Sequence, residues 1–339
     1  MEMVMKKKAL LLGAGGPLGG LEAGALIALD EMGVSFDVIS GACIGSVITL
    51  AYTSPANGMS GHDALEMWCN ASGLSDFIYP SMCQSNYKVF QKNAGVLNPL
   101  SDMFIETMTS MNPFYTINPD NDVQRFFNDM YLYWLTAMTP GFLFPEQHSV
   151  SRIAPFLECF IDFEHVKHVA KDIYINAMNI TDKRIDIFGK KEITMQHLIA
   201  GSSLFFICPQ QKINGKWYGE GSYLDSLNYK GVLEAHDDID TIVVMNILNK
   251  EAVIRTPTSL YDAYNLSIML PFITIAEDDT KLFEAKHKGS KRLLKVGFHI
   301  PEEHAPHVLD WSASNFSILR DIGYDAGIRF YKENKKFLK

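Results

Sequence analysis

Ser40-Gly41-Ala42-Cys43-Ile44-Gly45-Ser46 follows the apolar run Phe36-Asp37-Val38-Ile39 and precedes Val47-Ile48-Thr49-Leu50-Ala51-Tyr52, which reads as helix. Strand, glycine-flanked turn and helix form the setting in which a G-x-S-x-G string presents a nucleophile, and here the central residue is a cysteine. The glycines have a steric reason: the turn is so tight that a Cβ on either side would clash, and it pushes the central side chain outward. The following helix aims its N-terminus at that side chain, which favours a thiolate or an oxyanion there. A cysteine near a strand end is more often a small buried apolar residue, so the string decides little without its surroundings.

Composition narrows those surroundings. Hydrophobic residues make up 47% and aromatics 12% of 339 residues, ample for a sizeable core. A formal charge of −9 and the lack of a dense basic patch argue against a nucleic-acid partner. The five cysteines, Cys43, Cys69, Cys83, Cys159 and Cys208, are odd in number and irregular in spacing, so neither a disulfide framework nor a zinc site is expected. Reduced thiols point to a cytoplasmic setting. The first residues lack the pattern of a secretory leader, and the uncharged stretch Tyr131 to Pro145 is too short to span a bilayer.

Upstream, Ala9-Leu10-Leu11-Leu12 reads as a buried central strand, and Leu21, Ala25, Leu26, Ala28 and Leu29 recur at helical spacing up to Gly33. Between them lies Gly13-Ala14-Gly15-Gly16-Pro17-Leu18-Gly19-Gly20, whose backbone N–H groups suit an anion. A dinucleotide fingerprint fits only loosely, and the next strand ends in Gly41-Ala42-Cys43 rather than in an acidic residue. An oxyanion loop beside a nucleophile elbow fits better, since both then converge at the C-terminal edge of neighbouring strands.

The glycine loop, the helix with Gly24 and Gly41-Ala42-Cys43-Ile44-Gly45 together resemble the patatin-like phospholipases. Further along, Thr194 is a candidate cap for a short helix at Met195 to Ala200, and Gly201-Ser202-Ser203 leads into a turn containing Pro209. Ile213-Asn214-Gly215-Lys216-Trp217-Tyr218 reads as a hairpin with an Asn-Gly turn. It delivers Glu220-Gly221-Ser222, where the family carries Asp-Gly-Gly or Asp-Gly-Ala. Separated blocks in the right order weigh more than any one of them. The departures are Cys43 for the family's serine, Glu220 for its aspartate, and Leu18 where arginine or lysine is common.

The resemblance implies an α/β three-layer sandwich with a mainly parallel central sheet. The expected plan is a single domain over 1–339, with a motif-bearing core at 8–246, a helical insertion at 55–170 and a C-terminal extension at 247–339. By position, Cys43 is the nucleophile, Glu220 the base, and Gly15 and Gly16 the oxyanion donors, joined by the N–H of Ile44. The implied reaction is hydrolysis or transfer of an acyl ester or thioester through an acyl–Cys43 intermediate, with an acyl lipid or acyl thioester as substrate. Peripheral contact with a membrane is a further partner it admits, with no cofactor and no metal. The alternative is an altered or inactive relative that binds an acyl chain or acyl thioester. A thiol needs less help from a base than an alcohol, although an ionised Glu220 beside it favours the neutral thiol.

Other segments are read more plainly. Ile173 to Ile180 alternates as a strand, with Arg184 to Gly189 as its hairpin partner, and Asp240 to Asn246 is a buried strand. Leu260 to Leu270 and Asp279 to Leu294 read as helices, Val296 to Ile300 as a final strand, and Phe316 to Tyr331 as a closing helix. Tyr79-Pro80 and Asn98-Pro99 punctuate loops. The aromatic stretch Phe126 to Phe144 is either core helix or the lid or channel wall of a lipolytic site. His165 and His168 read as surface histidines, Asp225 as a hydrogen-bond partner behind Glu220, and Ser202 and Ser203 as turn formers packing behind the site.

Overall fold

The computed structural model describes residues 7–72, 94–116, 121, 123–124, 127–128, 131, 135, 157–205, 210–248, 250–257, 260–305 and 310–338. The strands are β1 (Lys7–Leu12), β2 (Val38–Gly41), β3 (Asp172–Asn179), β4 (Arg184–Gly189), β5 (Gln211–Ile213), β6 (Lys216–Gly219), β7 (Ile239–Met245) and β8 (Arg292–Lys295). The helices are α1 (Gly19–Glu31), α2 (Ile44–Thr53), α3 (Gly61–Ala71), α4 (Ala94–Met111), α5 (Met195–Gly201), α6 (Tyr229–Ala235), α7 (Lys250–Val253), α8 (Leu260–His287) and α9 (Ala313–Leu338).

The strands form one sheet in the order β5-β6-β3-β2-β1-β7-β8, with β4 paired to β3. From β3 to β8 along this order the neighbours run parallel, while β4, β5 and β6 join antiparallel. The two faces follow from strand alternation: Leu10 and Leu12 of β1 point into the core shared with α1, α2, α3 and α9. Ala9 and Leu11 point the other way, against Tyr229 and Val232 of α6 and Ala276 and Phe283 of α8. The result is the expected mixed α/β arrangement, a mainly parallel sheet with helices on both faces.

α1 is buried on all sides from Gly19 to Leu29, which explains why its sequence carries little amphipathic pattern. Part of that cover comes from α9, which crosses at glycines. A Cβ on Gly24 would lie 2.0 Å from Arg320 O, and one on Gly323 would lie 2.1 Å from Leu21 O. Only bare backbone lets the helices approach this closely.

Three segments differ from the sequence expectation. The helices read at Leu260 to Leu270 and Asp279 to Leu294 are one helix, α8, which runs through Pro271 and stops at His287. The last strand is Arg292–Lys295, paired with β7, not Val296 to Ile300; the alternation there reflects burial of Val296 and Phe298 without a ladder. Asn98-Pro99 lies inside α4. The Asn-Gly hairpin is found as expected, with Asn214 and Gly215 both at positive φ (49° and 81°). Residues 127, 128, 131 and 135 of the aromatic stretch are described; its remainder, Tyr79-Pro80 and residues 206–209 with Pro209 lie outside the described residues.

Candidate active site

The elbow is built by collision avoidance. β2 ends at Gly41, the N–H of Ala42 donates to Leu12 O at the end of β1 (3.0 Å), and Cys43 takes φ 51° and ψ −119° before α2 begins at Ile44. That conformation costs a non-glycine residue about 1–3 kcal/mol and persists only where the surroundings enforce it. They do so here: a Cβ on Gly41 would lie 2.3 Å from Gly45 O, and one on Gly45 would lie 2.5 Å from Leu12 O. Ser46 Oγ donates to Gly41 O (2.9 Å) and closes the turn from the helix side.

The glycine loop approaches from β1. Ala14 N–H donates to Ser226 O (3.2 Å), Leu18 N–H to Gly15 O (3.2 Å), and Gly16 takes φ 55° to enter a short 3-10 turn at Pro17. The N–H groups of Gly16 and of Ile44 both act on Cys43 in favour of its thiolate. Gly15 supplies the turn's carbonyl, and its missing Cβ makes room for Ile247, 2.7 Å from where that atom would stand. Leu18 is fully buried in the core, an apolar side chain at the place where the family commonly has a cation.

Glu220 arrives from the other side of β2. β6 delivers it, its N–H donates to Ser203 O (3.1 Å), and the side chain is fully buried. Oε1 accepts from Ser222 Oγ (2.7 Å) and Ser222 N–H (3.2 Å). Oε2 is buried without a geometrically complete hydrogen bond, and the Cys43 thiol is the protic group beside this carboxylate. A Cβ on Gly221 would lie 2.4 Å from Asn176 Oδ1, so a larger residue there would have to displace the Asn176 amide. Ser202 and Ser203 do more than form a turn: Ser202 Oγ reaches Cys43 O (3.5 Å), while Ser203 holds Glu220. Asp225 accepts from the N–H groups of Leu227 and Asn228 and pins the loop after Glu220 without touching its carboxylate.

Burial pushes Glu220 up to about 7, against the opposing pull of the Ser222 hydrogen bonds and of the neighbouring Cys43 thiol. Burial also raises the Cys43 thiol well above its ordinary range; the Glu220 charge adds to this, and the Ile44 and Gly16 N–H groups pull the other way. The helix N-terminus therefore does not win, and the net influence on Cys43, itself half-buried, favours the neutral thiol. Among the described residues no group of His, Cys, Asp and Glu side chains is arranged to hold a metal ion. His165 and His168 are exposed. No helix among the described residues is long and apolar enough to cross a membrane.

Comparison with known proteins shows the family. A family model described as patatin-like phospholipase matches residues 10–233. Comparison with curated proteins finds no match. Among solved structures, VipD from Legionella pneumophila superposes with a TM-score of 0.40 at 13% identity, covering 97% of this chain and 67% of that one. Human GIVD cytosolic phospholipase A2, in complex with methyl gamma-linolenyl fluorophosphonate, gives 0.45 at 10% identity, covering 99% and 59%. This chain thus spans roughly three fifths to two thirds of those proteins. The family match covers most of the sequence and contains the glycine loop, the elbow and the Glu220 turn: the chain belongs to the patatin-like phospholipase family.

Proposed function

We propose that this chain is an acyl-ester or thioester hydrolase or acyltransferase that works through a covalent acyl–Cys43 intermediate, with Glu220 as base. The observation that carries the reading is the convergence of a buried carboxylate and the N–H groups of Gly16 and Ile44 on Cys43. Ionised Glu220 takes the thiol proton as sulfur attacks the substrate carbonyl carbon, and the N–H groups stabilise the oxyanion that forms. The tetrahedral adduct collapses, the bond to the leaving alcohol or thiol breaks, and that group takes the proton from Glu220. An acceptor then attacks the thioester and gives its proton to Glu220; the bond to sulfur breaks and the thiol is restored. A base titrating near 7 suits both proton transfers at neutral pH.

A thioester reacts with amines, thiols and carbanions as well as with water, so transfer belongs beside hydrolysis in the proposal. The substrate class is an acyl lipid or acyl thioester, with peripheral membrane contact in the lipid case. Cys43 and Cys69 are held outside any disulfide, and a reducing, cytoplasmic setting belongs to the proposal. One observation favours a second reading, acyl binding without turnover: the thiol is held neutral and Leu18 brings no cation. Turnover of an acyl thioester separates the two. The enzyme reading expects Cys43→Ala to abolish product release and Glu220→Gln to slow it at least about 100-fold. Wild-type turnover by Glu220→Gln across about pH 6 to 9 rules out the base assignment, and tight binding with no release favours the binder.

A further inference from the structure

Glu22 sits in the first turn of α1, fully buried, in a helix whose other core positions are small or apolar. No step of the acyl transfer above uses it. Its Oε1 accepts the N–H of Gly13 at 2.5 Å, and its Oε2 is buried with no hydrogen-bond partner. Burial pushes the carboxyl well above its ordinary range, against the pull of the Gly13 N–H.

Gly13 is the residue at which β1 ends and the glycine loop begins. Its N–H has a second, longer acceptor, Met245 O at 3.3 Å, so Glu22 makes the shorter of the two contacts. The Gly13 carbonyl abuts the elbow: a Cβ on Gly45 would lie 2.8 Å from Gly13 O. The next N–H is held by Ser226 O, and three residues on from Gly13, the Gly16 N–H acts on Cys43. Oxyanion loop and elbow therefore touch at the residue that Glu22 holds.

We propose that Glu22 is a positioning residue: by accepting the Gly13 N–H, it fixes the root of the glycine loop and so keeps the Gly16 N–H in register with Cys43. The inference rests on the reading of Cys43 as nucleophile. A hydrogen-bond acceptor is what the role demands, so a neutral amide fills it and an apolar side chain of similar size does not.

The test compares full-length wild type, Glu22→Gln and Glu22→Leu, with Glu22→Met replacing the last should it fail to fold. Acylation of Cys43 by an octanoyl thioester is followed by intact mass. Alkylation of Cys43 by iodoacetamide, a displacement that forms no oxyanion, is followed by peptide mass. Hydrogen–deuterium exchange is read over residues 13–18. Glu22→Gln is expected within about threefold of wild type in all three, whereas Glu22→Leu slows acylation about 100-fold through lost alignment. Glu22→Leu slows alkylation far less than acylation, since only the thiolate and not an oxyanion then loses the Gly16 N–H, and it raises exchange in the loop. Wild-type acylation and exchange in Glu22→Leu overturn the proposal, as does a Glu22→Gln variant as slow as Glu22→Leu. A wild type that is alkylated but never acylated refutes the covalent reading instead; the exchange of Glu22→Leu against Glu22→Gln then decides the positioning role alone.

Discussion

Glu220 gives the chain a pH-dependent cost that can be measured apart from catalysis. It is fully buried, and burial pushes it up to about 7 from the ordinary 4.5. Below about pH 4.5 the carboxyl is protonated in folded and unfolded chains alike, so its ionisation costs nothing. Between 4.5 and 7 the unfolded chain loses the proton while the folded chain keeps it, and stability falls as pH rises. Above 7 both forms are ionised and the full cost is present. A shift of 2.5 units at 1.36 kcal/mol each makes that cost about 3 kcal/mol. Glu220→Gln keeps the size and an acceptor for Ser222 but cannot ionise. Urea unfolding at pH 5 and pH 8 should show the stability of Glu220→Gln over wild type growing by about 2–3 kcal/mol between the two. Glu22 is present in both proteins and cancels in this difference. A difference independent of pH, or larger at pH 5, refutes the reasoning, because Glu220 would then not be a buried carboxylate ionising near neutrality.

Two other expectations follow from the same coordinates. The acyl-transfer rate should rise with pH through a midpoint near 7 as Glu220 ionises, and Ser222→Ala, which removes the 2.7 Å bond to the ionised carboxylate, should move that midpoint upward in a pH–rate profile. Gly323→Ala should destabilise the fold by about 1–3 kcal/mol in denaturant unfolding, since its Cβ would meet Leu21 O at 2.1 Å and force α1 and α9 apart; an unchanged midpoint would falsify the close helix crossing.

What the sequence displays depends on how local its cause is. The elbow and the glycine loop are legible because Gly41 and Gly45 are demanded by backbone atoms within a few residues or on the adjoining strand. Asn214-Gly215 is legible for the same reason, and it places Glu220. The union of the two expected helices into α8 was not legible: the helix continues through Pro271 because Met269, Phe272 and Ile273 on either side are packed into the core. β8 was hidden by its charged ends, Arg292 and Lys295, an ordinary feature of an edge strand, while the better alternation lay just beyond it. The glycines of α9 carry no local signal, since their partner is α1 at the far end of the chain. The protonation of the Cys43–Glu220 pair was legible only as opposing tendencies, because burial, the largest influence on both groups, belongs to the assembled fold.

The central claim is that Cys43 carries the acyl group. Brief exposure of the full chain to an acyl thioester, followed by intact-mass and peptide mass measurement, tests it directly. The expected result is a gain of one acyl group mapped to Cys43, released by hydroxylamine and absent from Cys43→Ala. Turnover without any adduct on Cys43, or an adduct that persists in Cys43→Ala, contradicts the account.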